Sequence, residues 1–411
     1  MKRKRIVGLS ADGILRVEVV ASNGVDSVYV SDASVDGGTY CGASGRQTIV
    51  WDPAADHKGV LFGDLTFHLA VAETNVTTAP YLSVRLSDGR IGYHGMAITN
   101  TITNERYLTD YMVFRRISAT TSDEWKALSD GKDTFTFGAV SNDCAHLYKT
   151  ASDFIKEQPR EIKLTKDFYM AVYPLTIGQL ERLGFKQQQG GTGVNNHTYG
   201  REYNAATMGL KYNFLRGADT TAQYNFPATS AVAPDSLVGV LRARTGLNFD
   251  LPTEAQWEYA CKAGSTNAYW FAETDELPSS ASLTSHVKSM YVNQFPPNAW
   301  GLYAMVGCCH QWTTTLGRTS NNGNLDGWND HNYVVFGEGE VDPVGPVPSY
   351  SAPYRIVRGS HCNANGNQTM WDGVARNIRF RVYRTAYRYP QKVDNPSDLY
   401  ACGARLSLTL P

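Results

Sequence analysis

The stretch LPTEAQWEYACKAG, Leu251 to Gly264, decides how the rest of the chain is read. Thr253 is a candidate N-cap, and Gln256, three residues on, completes a capping box in which side chain and backbone satisfy each other at the helix start. Glu254 puts a negative charge at the positive end of the helix, and Gly264 can close the far end. Trp257, Ala260 and Cys261 fall on one helical face, so the spacing predicts a core helix with Cys261 packed rather than reactive. The same device stands upstream. The strand-like REIKLTKDFYMAVYPLT, Arg160 to Thr176, ends on a second candidate N-cap, with Gln179 at the answering position.

Toward the N-terminus the texture changes. Leu15, Val17 and Val19 alternate with Arg16 and Glu18, and Leu65, Phe67, Leu69 and Val71 repeat the pattern. Turn signals at Asp12-Gly13, Asn23-Gly24 and Gly37-Gly38 fall between such runs. A small antiparallel β-sandwich of immunoglobulin-like kind is expected over residues 1–78, with a spacing or attachment role because it gathers no chemical groups. Residues 79–110 are polar and mixed and read as a connection. Beyond it, long segments rich in Gly, Asn, Thr and Tyr, near 185–245 and 313–354, are expected to be loops with a function or with mobility. Asn322, Asn324, Asp326 and Gly327 faintly follow a calcium loop, but its twelfth position is Tyr333 rather than Glu, so that reading is set aside.

The whole composition narrows the function classes. A chain of 411 residues is too long for one ordinary core and predicts two domains, or one large domain with an appendage. Its net charge of -1 argues against a general polyanion binder, and no apolar run approaches a membrane span. The start, MKRKRIVGLSADG, is basic like a secretory signal, but Ser10, Ala11, Asp12 and Gly13 stand where its apolar stretch would be. The expectation is a protein that stays inside, leaves by lysis as a phage product, or has had its signal removed; displayed, it would sit on a cell surface or a virion. The cysteines, Cys41, Cys144, Cys261, Cys308, Cys309, Cys362 and Cys402, are odd in number and irregularly spaced, with no CxxC pair, which predicts reduced core residues rather than a disulfide framework or a zinc ribbon. Tyrosine, at 24 residues, and tryptophan, at 8, suit a recognition surface as well as a core.

Several segments in this order resemble the formylglycine-generating enzyme family, or sulfatase-modifying-factor domain. They are FTFGAV (Phe135 to Val140), LTKDFYMAVYPLT, LPTEAQWEYACKAG, PNAWGLYAMVG, DPVGP (Asp342 to Pro346), RIVRGS (Arg355 to Ser360), YRTAYR (Tyr383 to Arg388) and GARLSL (Gly403 to Leu408). The resemblance covers roughly residues 111–411 and implies an α+β, loop-rich variant of the C-type lectin fold, with helices packed on a twisted sheet. QTIVWDPAADHKG (Gln47 to Gly59) looks like the small β-domain that precedes this module in some bacterial proteins.

The family's enzymes oxidise a substrate cysteine with copper held by two cysteines, a soft-ligand pair suited to Cu(I). By register those positions fall near Ala375 and Phe380, and no cysteine lies between Cys362 and Cys402, so oxidase activity and a copper cofactor are not expected. The resemblance also implies a calcium site in GLYAMVGCCHQW, Gly301 to Trp312. Ala304 replaces its acidic or amide position and Gln311 its Glu, so calcium should bind poorly. Cys308, Cys309 and His310 are expected to be packing residues, since adjacent residues on an extended chain point to opposite faces and rarely clasp one ion.

The tail, residues 361–402, resembles the variable region of proteins diversified by retroelements, which use the same lectin-like scaffold for binding. Its candidate ligand-binding residues are Asn363, Asn365, Asn367, Trp371, Asp372, Tyr387, Tyr389, Asp394, Asn395, Asp398 and Tyr400. Ile378, Phe380 and Val382 alternate with Arg379, Arg381 and Tyr383, which predicts a strand, and Arg384 and Arg388 match family arginines expected to pair with carboxylates or backbone. The expectation is a non-enzymatic target-recognition protein of a bacterium or phage. Its partner would be a protein or cell-surface ligand rather than nucleic acid, its oligomeric state is open, and no metal or cofactor is called for. A divergent copper oxidase acting through Cys362, and a structural phage or surface component without a diversified site, are the competing readings.

Overall fold

The computed structural model describes residues 79–94, 105–139, 157–186, 202–217, 226, 231–271, 280–287, 289–317, 336–345, 354–362, 367–369, 375–377, 379–393 and 401–410, and the backbone of the strands before residue 79. In that N-terminal part β1 (Gly13–Ser22) pairs antiparallel along its whole length with β6 (Thr66–Asn75). The other edge of β1 takes β2 (Ser27–Val28) at one end and β4 (Tyr40–Cys41) at the other. A separate antiparallel ribbon joins β3 (Val35–Asp36) to β5 (Val50–Trp51). The register sets Val17 opposite Val71 and Val19 opposite Leu69, the alternation expected from the sequence.

The main module is built on an antiparallel sheet in the order β20 (Ser407–Thr409), β12 (Phe168–Ala171), β9 (Tyr111–Ile117), β7 (Tyr81–Arg85) and β8 (Ile91–His94). Two of these strands correct the sequence reading, which assigned 79–110 to a connection. Leu82, Val84 and Leu86 bury an alternating apolar face, and the buried polar residues that obscured it, Ser83 and His94, hydrogen-bond each other at 2.7 Å. Helix α1 (Arg106–Thr109) completes the same stretch. The inner strand β12 is buried on both faces: Tyr169 and Ala171 enter one hydrophobic cluster, with Phe114 and Leu251, while Phe168 and Met170 enter another, with Trp257 and Tyr259.

A second sheet runs β10 (Phe135–Phe137), β11 (Arg160–Lys163), β14 (Glu340–Val341). A third, mixed sheet runs β18 (Arg388–Lys392), β15 (Tyr354–Arg358), β13 (His310–Leu316), β19 (Cys402–Gly403). A ribbon of β16 (Asn367–Thr369) and β17 (Ala375–Asn377) stands within the tail. The remaining helices are α2 (Asp123–Leu128), α3 (Ile177–Arg182), α4 (Tyr212–Arg216), α5 (Leu237–Thr245), α6 (Glu254–Lys262), α7 (Ser280–Val287) and α8 (Arg379–Val382).

Both expected capping boxes form, Thr176 with Gln179 on α3 and Thr253 with Gln256 on α6. Helix α6 ends at Ala263 (φ 48) followed by Gly264 (φ 87), so the left-handed turn begins one residue before the glycine. Every residue of α6 is buried, charged ones included. No helix among the described residues is long and apolar enough to cross a membrane.

Candidate functional site

The tail is fastened to the scaffold by a buried ionic hub. Glu254 and Glu258, one turn apart on α6, flank the Arg358 guanidinium: Nη1 donates to Glu254 Oε1 and Nη2 to Glu258 Oε2, both at 2.6 Å. Arg388 reaches the same Glu254, with Nε 2.8 Å from Oε1 and Nη2 closing the second arm on Oε2. Lys262 Nζ lies 2.8 Å from Glu258 Oε1 and also donates to the carbonyls of Thr136 and Gly138. Arg384 pairs with Glu157 at 2.7 Å. Arg384 and Arg388 are therefore structural, as expected, and Glu254 does more than favour a helix end. Burial alone would raise the Glu258 carboxyl, but Lys262 and Arg358 outweigh it and hold it below the usual glutamate range.

Gln311 stands at the start of β13, paired across the sheet with Arg358 of the hub. It is fully buried; its Nε2 donates to the carbonyls of Ala304 and Met305, each at 3.0 Å, and its Oε1 accepts from Trp257 Nε1 and Arg405 Nε, each at 2.9 Å. The neighbouring cysteines correct one expectation. Cys308 and Cys309 are not divided between opposite faces; both lie in one apolar cluster with Cys362, and the Cys309 side chain is a hydrogen-bond partner of Cys308. The Cys309 side chain as hydrogen-bond partner, then burial, push the Cys308 thiol well above its ordinary value, and Cys308 Sγ donates to the Met290 carbonyl at 3.4 Å. Burial pushes Cys261 up to about 12. Thiols held protonated in this way are packing groups, not nucleophiles. Among the described residues no group of three or more His, Cys, Asp or Glu side chains is placed to hold a metal ion.

The tail residues separate on inspection. Tyr387, expected at the surface, is instead buried with Val382 and Tyr383, because Arg384 and Arg388 on either side are drawn inward by Glu157 and Glu254. Tyr389 is half-buried and stacks on His310, ring centroids 6.0 Å apart, while His310 faces His361 at 5.2 Å. These rings come from β18, from β13 and from just beyond β15, which meet at one end of the third sheet, where the tail segment after His361 begins. His310 Nδ1 is buried without a hydrogen-bond partner, and desolvation, with His361 facing it, holds the imidazole well below the usual histidine range. Sequence reading placed His310 among packing residues and missed this cluster, since no linear spacing joins its members.

Where a strand was expected over 378–383, residues 379–382 form the single helical turn α8, and Ile378 lies outside the described residues. Two carbonyls of α8 are taken by side chains: Tyr269 OH, distant in sequence, donates to Phe380 O, and Arg384 Nε, three residues on, donates to Arg381 O at 3.0 Å. Asn367 opens β16 opposite Asn377. Asn363, Asn365, Trp371, Asp372, Asp394, Asn395, Asp398 and Tyr400 lie outside the described residues, as do Cys41's side chain, Cys144 and the 322–333 stretch.

Residues 134–386 match the family model described as the sulfatase-modifying factor enzyme 1-like domain, more than half of the chain. The chain belongs to this family. Its α+β module is thus of the formylglycine-generating-enzyme-like, C-type lectin-like kind. Similar curated proteins include the formylglycine-generating enzymes of Mycobacterium tuberculosis, 28% identical over 120 residues, and of Mus musculus, 28% identical over 157. These alignments take in 26% and 32% of this chain, and the chain spans only 38% of the length of either relative. Among solved structures, Treponema denticola variable protein 1 overlaps 72% of this chain and 95% of its own at 14% identity and a TM-score of 0.42. The Major Tropism Determinant M1 variant overlaps 84% of this chain and 77% of its own at 13% identity and a TM-score of 0.26.

Within the family frame, the positions the enzymes reserve for copper-holding cysteines fall near Ala375 on β17 and Phe380 on α8. Neither supplies sulfur, so the residues present do not fit a two-thiolate copper site.

Proposed function

We propose that this chain is a non-enzymatic recognition protein that presents its C-terminal tail as a binding surface on a lectin-like scaffold, as the variable protein of a diversity-generating retroelement in a bacterium or phage. One observation carries the reading. The ends of the tail's fixed segment are locked by buried charge pairs, Arg384 to Glu157 and Arg388 to Glu254, while no cysteine occupies the stretch where the family's chemistry would sit. A rigid frame under a segment rich in Asn, Asp and Tyr suits recognition, because the anchors hold while exposed positions change. Of the candidate residues Tyr387 leaves the binding set, as it belongs to the frame; Asn363, Asn365, Asn367, Trp371, Asp372, Tyr389, Asp394, Asn395, Asp398 and Tyr400 remain. The N-terminal β-domain, a sandwich in this reading, spaces or attaches the module.

The neighbouring DNA tests the retroelement assignment. A reverse-transcriptase gene with a near-copy of the segment encoding 361–402, differing at adenines, is expected; a locus with neither overturns it. The enzymatic reading is favoured by the names of the curated relatives. Incubation with copper and a cysteine-containing peptide decides between the two: aldehyde formation would replace the binding role with oxidase chemistry.

A further inference from the structure

We infer that an internal guanidinium and amide take the place of a divalent cation in the loop Tyr303 to Met305, so that this family member holds its sheet end without bound metal. The family resemblance implies calcium in this loop, and the donor set present does not fit it. Calcium needs about six to eight oxygens with lone pairs turned toward it. Here three consecutive carbonyls are already turned onto N–H donors: Tyr303 O receives Arg405 Nη2 at 2.5 Å, and Ala304 O and Met305 O receive Gln311 Nε2 at 3.0 Å. Ala304 sits at φ 48, a left-handed turn that lets its carbonyl and the next converge on one amide.

The one side-chain oxygen in the arrangement, Gln311 Oε1, is also spent. It accepts from both Trp257 Nε1 and Arg405 Nε at 2.9 Å. Charge points the same way. Arg405 is fully buried, and its hydrogen-bond partners are neutral oxygens, those of Ala171, Val172, Tyr303 and Gln311. A cation entering between the same carbonyls would meet that positive charge at short range in a medium of low dielectric. Glutamine suits this position where glutamate would not. A carboxylate would satisfy Arg405 but set an oxygen against the Ala304 and Met305 carbonyls, leaving both without a donor.

The inference concerns the scaffold and stands or falls apart from the binding role. Hydrogen exchange of the whole chain, followed on peptides spanning Gly301 to Trp312, tests it. Exchange is expected to be the same in calcium and in EGTA; slower exchange in calcium would overturn the inference. Gln311→Glu, measured in EGTA, is expected to speed exchange in this loop and lower the melting temperature, and a variant as protected as the parent would overturn the role given to Nε2. If Gln311→Glu does not accumulate, Gln311→Met removes the same donors without adding charge and is read by the same two outcomes.

Discussion

Arg388 Nε donates to Glu254 Oε1 at 2.8 Å across 134 residues of sequence, and with Nη2 on Oε2 it joins the tail to the first residue of the helix in LPTEAQWEYACKAG. Both side chains are excluded from solvent, and Glu254 serves Arg358 as well. Removing the carboxylate charge leaves two buried guanidinium groups short of compensation. Glu254→Gln is expected to destabilise by about 3–5 kcal/mol, measured by urea unfolding. A double-mutant cycle with Arg388→Met should show the two changes costing less together than their sum.

The buried titratable groups set an acid profile with two windows. Glu258 is held below the ordinary glutamate value, so its pairs stabilise fully above that value, and the contribution is lost as pH falls through the folded-state value. His310 is also depressed, and for an imidazole the unfolded chain then binds the proton first. Stability from the neutral ring is therefore whole above the ordinary histidine range and begins to erode as pH falls into it. Melting temperature against pH should decline in mildly acid buffer and again in strong acid. His310→Phe, which keeps a ring against Tyr389, is expected to flatten the first decline only.

Gly307 has φ 84, and a Cβ built on it would lie 1.6 Å from the Val287 carbonyl oxygen. Neither the dihedral nor the contact can be relieved by a side-chain rotation, because the obstacle is backbone. Gly307→Ala is expected to cost about 4 kcal/mol or more, or to prevent accumulation of folded protein, as read from thermal unfolding and soluble yield.

Tyr387 and Tyr389 look alike in the sequence and should behave differently on truncation. Tyr387 is 4% exposed within the core formed with Val382 and Tyr383, so Tyr387→Ala is expected to lose about 3–5 kcal/mol. Tyr389 is half-buried against His310, and Tyr389→Ala should lose about 1–2 kcal/mol. Urea unfolding of the two variants checks the order, and equal losses would refute the division between frame and surface.

Much of the frame was legible from local chemistry. Two capping boxes, the core face of Trp257, Ala260 and Cys261, the alternation of β1 with β6 and the structural arginines of YRTAYR all correspond to elements found. The caps, the core face and the alternation depend on neighbours within a few residues or on a period of two, and the arginines on the family resemblance. The strands at Tyr81–Arg85 and Ile91–His94 were missed because Ser83 and His94 make them look polar until the two are seen to satisfy each other. The strand read into 378–383 failed for the converse reason: the pattern alternates, yet residues 379–382 form a helical turn whose Phe380 and Arg381 carbonyls accept from Tyr269 and Arg384 side chains.

Sequence by itself determined the family resemblance, the capped starts of two helices and the absence of cysteine between Cys362 and Cys402, since these need only residue identity and short spacing. Only the tertiary structure decided what Gln311 does. As a letter it is a missing calcium ligand; in the fold it is an amide with its donors and acceptors matched to Ala304, Met305, Trp257 and Arg405. The same holds for the hub on Glu254 and for the rings of His310, His361 and Tyr389, brought together by strand pairing across distant segments. Burial makes an unmatched polar group costly, so each of these side chains takes its meaning from partners that no local pattern in the chain announces.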